Sequence, residues 1–99
     1  MSLAKDVEKA FPEETDAELL NIVGYEYGDL LKCDLYARRF PEREDAYRVE
    51  GKIAMSDLLT QLRVYCERRG WDLRTVLALG EERLAEKLEH FARDRSVRQ

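Results

Sequence analysis

The sequence predicts an all-α fold, with long antiparallel helices packed as a bundle. Three observations predict it. β-branched residues are sparse, no segment alternates polar and apolar with period two, and apolar residues recur at steps of three, four and seven through the long segments. The 99 residues make one small domain, residues 1–99, whose core has little stability margin. A second subunit supplying further apolar surface is therefore expected.

Each element has a local reason. A short amphipathic segment covers residues 3–11 and stops at Phe11-Pro12, because a residue before proline avoids the helical region. The first long helix starts at Thr15 or Asp16, and Glu18 completes a capping-box pattern from Thr15. Its apolar positions are Leu19, Ile22, Val23, Leu30, Cys33, Ala37 and Phe40. Gly24 and Gly28 lie inside it, each costing about 1 kcal/mol relative to alanine. Such glycines admit a closely approaching helix or ligand, or are tolerated defects; the sequence leaves both readings open.

Residues 41–46 form a charged loop or a first helical turn, with Pro41 suited to either. The second long helix runs from about residue 44 to Arg69 and stops at Gly70. Asp72 caps a further helix carrying Leu73, Val76, Leu77 and Leu79, which Gly80 breaks or bends. Leu84, Leu88 and Phe91 continue it. The polar tail after Asp94 is expected to fray.

Charge and composition exclude several function classes. Residues 1–50 carry 7 Lys/Arg against 13 Asp/Glu, and residues 51–99 carry 10 against 8, within a net charge of −4. Neither half has the basic excess that a nucleic-acid polymer needs. No apolar run approaches the ~20 residues of a membrane span, so no membrane partner is expected. The charged start, Lys5, Asp6, Glu8 and Lys9, does not read as a signal peptide. Cys33 and Cys66 fall on apolar helical faces and read as free thiols of a cytoplasmic protein. With His90 the sole histidine and no Cys/His cluster, zinc is not expected. Ser56 and Thr60 have no histidine in range, and there is no glycine-rich phosphate loop.

The informative feature is a set of carboxylates on apolar faces. Glu26 sits among Ile22, Val23, Leu30 and Cys33 at helical spacing, and Asp29 follows one turn later on the same face. Asp57 interrupts the run Ile53, Ala54, Met55, Leu58, Leu59 and Leu62. An acid that faces a core is costly unless it is paired or binds a cation. Two helices presenting Glu26, Asp29 and Asp57 to one point would suit Mg²⁺, or Mn²⁺ in its place. Glu50, two turns before Asp57, is a fourth candidate, although a solvated surface acid is the plainer reading there. Trp71, Tyr25, Tyr27 and Tyr36 could stack on a base, but aromatics at helical spacing more often pack.

These residues carry a resemblance. Residues 19–31, with Tyr25-Glu26-Tyr27-Gly28-Asp29 at their centre, resemble the E-E-x-x-E signature of MazG-like nucleotide pyrophosphohydrolases. Ala54-Met55-Ser56-Asp57 followed by Leu58-Leu59, and later Gly70-Trp71-Asp72-Leu73, resembles the family's second signature, E-x-x-D, and the helix start after it. The resemblance spans about residues 16–91. It implies α-helical dimers or tetramers that hydrolyse a nucleoside triphosphate to monophosphate and pyrophosphate with Mg²⁺. It also implies ligand roles for Glu26, Asp29 and Asp57. The expected third ligand falls on Ala54, which has no donor, so Glu50 or water would have to replace it. The family's downstream basic element is represented only by Arg83 and Lys87, which with Lys32 are the candidates for phosphate contacts; a solvated helix face beside Glu82 and Glu86 is the plainer reading of Arg83 and Lys87. The competing expectation is a catalytically weakened helical dimer that binds nucleotide or a protein partner without hydrolysis.

Overall fold

The computed structural model describes residues 2–98, and over them the chain folds into four α-helices: α1 (Leu3–Ala10), α2 (Asp16–Arg39), α3 (Glu44–Arg68) and α4 (Leu73–Arg98). No strand occurs among the described residues. The all-α expectation holds.

The caps explain the boundaries. Ser2 accepts the Lys5 amide at the start of α1, and Thr15 accepts the Glu18 amide at the start of α2. A short 3₁₀ turn, Pro41–Arg43, reverses the chain, so α2 and α3 form an antiparallel hairpin. At the far end of α3, Gly70 takes the left-handed conformation, φ +74°. The Gly70 amide donates to the Glu67 carbonyl and the Trp71 amide to the Cys66 carbonyl. This pairing closes a helix with a Schellman motif, and only glycine adopts it without strain. Asp72 then accepts the Thr75 amide and hydroxyl and starts α4.

Gly51 is where the hairpin closes most tightly. A Cβ placed there would lie 3.7 Å from the Cys33 Cβ, whereas Gly24 and Gly28 have nothing of the chain within 4 Å. The close approach that the sequence offered to Gly24 and Gly28 is thus made elsewhere within this chain. Gly80 does not break α4, which runs through it without interruption. One interior glycine costs only about 1 kcal/mol, too little to stop a helix of this length.

α1 lies against α3, tied there by the Ala4 amide donating to Glu67 Oε2 at 2.9 Å. Arg68 and Arg69 both pair with Asp16, and Arg68 also donates to the Glu14 carbonyl, fixing the segment before α2 to the end of α3. α4 behaves differently. It meets only α3 and leaves the hairpin as an arm. The radius of gyration is 18.1 Å, against about 13 Å for a compact chain of this length.

The buried apolar core comprises Leu19, Ala54, Val64 and Cys66, and no polar or charged side chain is buried among the described residues. This corrects the picture of acids inside a core. Glu26 and Asp29 are half-buried, and Asp57 and Glu50 are exposed. Their apolar neighbours do form a stripe, but within one chain no third long helix covers it, because α4 points away.

Candidate functional site

The acids meet in a groove rather than in a core. α2 and α3 flank a cavity of about 460 Å³. From α2 it is lined by Asp29, Lys32, Cys33 and Tyr36, which recur at helical spacing. From α3 come Tyr47, Glu50, Ile53, Ala54 and Asp57, with Tyr47, Glu50, Ala54 and Asp57 stepping by three, four and three.

The antiparallel run of the two helices gives the groove two unlike ends. Tyr36 and Tyr47 stand near the 3₁₀ turn, and Asp29 and Asp57 at the opposite end. The rings of Tyr36 and Tyr47 pack edge-to-face with centroids 5.6 Å apart, and Phe40 adds a second edge contact to Tyr36 at 5.8 Å. The Lys32 ammonium lies 5.6 Å from the centre of the Tyr36 ring, between the aromatic and acidic ends. Ala54 is buried at the floor, where the resemblance expects a glutamate. Its small side chain leaves space at that point instead of a ligand.

Several other acids of the chain pair with arginine. Asp34 pairs with Arg38, Glu44 with Arg48, Asp16 with Arg68 and Arg69, and Glu67 with Arg63. Among the described residues Asp29, Glu50 and Asp57 take part in no ion pair, and Lys32 is the one basic side chain lining the groove. The groove therefore presents uncompensated negative charge to solvent.

The predicted residues divide into two groups. Asp29, Asp57, Glu50 and Lys32 line the groove. Glu26 lies one turn before Asp29 on α2, half-buried and outside the lining. Arg83 and Lys87 are exposed on α4 and do not reach the groove within one chain, because the turn at Gly70 directs α4 away from α2. Tyr47 was not singled out from the sequence. The usable signal was its position three residues before Glu50 and seven before Ala54.

Among the described residues no three His, Cys, Asp or Glu side chains converge closely enough to cage a metal ion. Mg²⁺ does not require such a cage. It keeps several waters and is typically held by one or two carboxylates together with substrate phosphates. Asp29 and Asp57, with Glu50 along the same wall, have the donor chemistry for a hydrated ion of this kind. They do not have it for a closed structural site.

Comparison with protein-family models, curated proteins and solved structures finds no match to this chain.

Proposed function

We propose that the groove binds a nucleoside triphosphate with Mg²⁺, or Mn²⁺, and hydrolyses it to the monophosphate and pyrophosphate. The observation that carries this reading is one groove holding unpaired carboxylates at one end, an aromatic pair at the other and a lysine between. Its volume of about 460 Å³ falls in the range of small-molecule sites. The resemblance of residues 16–91 to MazG-like pyrophosphohydrolases supports the same reaction, and the free thiols fit a cytoplasmic setting.

In this reading Asp29 and Asp57, helped by Glu50, hold the cation, which would neutralise phosphate charge when bound. Lys32 contacts a phosphate oxygen as a point charge. Tyr36 and Tyr47 supply apolar faces for the base. A groove carboxylate accepts a proton from the attacking water. The water oxygen bonds to the α-phosphorus, the bond from that phosphorus to the bridging oxygen breaks, and pyrophosphate leaves with the electron pair. Glu26, one turn away on the same helix, is the candidate to accept a hydrogen bond from water beside Asp29.

The second reading is a helical protein that binds nucleotide, or a protein partner, without turnover. Ala54 and the absence of a three-carboxylate cage among the described residues favour it. Pyrophosphate release from a panel of ribo- and deoxyribonucleoside triphosphates, with Mg²⁺ or Mn²⁺, separates the two. Turnover lost in Asp57→Asn and Glu26→Gln supports hydrolysis. Nucleotide binding without turnover in the unaltered chain supports the second reading, and neither binding nor turnover removes both nucleotide readings.

A further inference from the structure

α2 carries two apolar faces, and the hairpin uses one. Leu19, Ile22, Cys33 and Ala37 face α3. About 155° around the helix, at 100° per residue, Leu20, Gly24, Tyr27, Gly28, Leu31 and Leu35 form a second stripe. Leu20, Tyr27, Leu31 and Leu35 are all exposed, and nothing of the chain approaches Gly24 or Gly28. α4 has an apolar stripe of its own, with Leu77, Leu84, Leu88 and Phe91 exposed and Gly80 open. α2 and α4 of one chain do not touch.

The two stripes match. Leu20 to Leu35 and Leu77 to Phe91 each span roughly 21–22 Å at 1.5 Å per residue. Laid antiparallel with Leu35 opposite Leu77, large residues face small ones at three positions in the middle of the seam. Leu84 falls opposite Gly28, Leu88 opposite Gly24 and Tyr27 opposite Ala85, while Leu31 falls opposite Glu81, next to Gly80. Interiors pack in this alternating way. On one rim the same register sets Lys32 opposite Gly80, one residue from Glu81. The parallel alternative, with Leu20 opposite Leu77, sets Tyr27 against Leu84 and Leu31 against Leu88, large against large.

We infer that α4 of each copy seats antiparallel on the outer face of α2 of a second copy, with Gly24 and Gly28 as the holes that receive it. The exchange is reciprocal and closes as a two-fold dimer. Covering both pairs of stripes buries on the order of 1,500 Å², the size of a stable specific interface. It accounts for the two costly glycines, which nothing within the chain requires. The inference is independent of whether the groove hydrolyses nucleotide.

Sedimentation of the full chain tests it. The expected result is twice the monomer mass of 11.6 kDa at micromolar concentration. Gly24→Glu and Leu84→Glu are each expected to weaken association by tenfold or more while circular dichroism keeps its helical signal. Gly24→Glu is the sharper variant, because in an isolated copy it replaces glycine by a better helix former in open space. In a Cys33→Ala background, Leu35→Cys with Leu77→Cys is expected to give a covalent dimer on oxidation. A wild type that stays monomeric at all concentrations overturns the inference. So does a dimer that survives Gly24→Glu, and so does preferential cross-linking of Leu20→Cys with Leu77→Cys.

Discussion

The hairpin and the arm are both long helices with apolar stripes, yet only the hairpin finds a partner within the chain. Leu19, Ala54 and Val64 are buried between helices, whereas Leu77, Leu84, Leu88 and Phe91 on α4 stand in solvent. The difference lies in the connections. The 3₁₀ turn at Pro41–Arg43 folds α3 back along α2, while the Schellman turn at Gly70 sends α4 outward. Apolar periodicity therefore says that a helix has a face to bury, and the turn before it decides whether the same chain buries it.

The largest expected contrast is in core truncation. Leu19→Ala should destabilise the hairpin by roughly 2–5 kcal/mol, since Leu19 is 1% exposed. Leu84→Ala should change the stability of a dilute, unassociated chain by no more than about 0.5 kcal/mol. Urea melts at low protein concentration measure both. Equal losses would mean that the arm is packed within the chain after all.

The turn itself comes next. Gly70→Ala forces a Cβ into the left-handed region and should cost about 1–2 kcal/mol. By contrast, Gly24→Ala should stabilise the dilute chain by about 1 kcal/mol, because its φ is ordinary and its surroundings are open. Thermal melts of the two variants should move in opposite directions.

A smaller, pH-dependent effect concerns α1. The Ala4 amide donating to Glu67 holds that carboxyl below its ordinary value of 4.5, with Arg63 adding to the effect. The folded state thus favours the charged form. Its contribution is fully present above the ordinary value and is lost as pH falls through the lowered one. The protection factor of the Ala4 amide, taken against its intrinsic exchange rate, should fall below about pH 4.5, and Glu67→Gln should remove that dependence. A protection factor at Ala4 that does not change with pH in the wild type would show that α1 is held by other contacts.

How much of this could be read from the sequence follows the same logic. Thr15, Gly70 and Asp72 act through neighbours a few residues away, and the caps they predict are present. Asp29 and Asp57 could be paired because helical spacing put each on an apolar face. Glu26 is half-buried although its helical neighbours are apolar, because such neighbours define a stripe and not its depth. Gly80 reads as a break in the sequence, yet α4 runs through it because one glycine costs too little to stop a long helix. Tyr47 is not legible in the sequence, because its place opposite Tyr36 arises only when the hairpin sets its register.

The most direct measurement is the site of cation binding in the presence of nucleotide. With Mn²⁺ and a non-hydrolysable triphosphate, amide resonances around Asp29, Glu50 and Asp57 should broaden first, and Asp57→Asn should abolish the effect. Broadening centred instead on acids outside the groove, such as Glu13 and Glu14 or Glu81 and Glu82, would contradict the account.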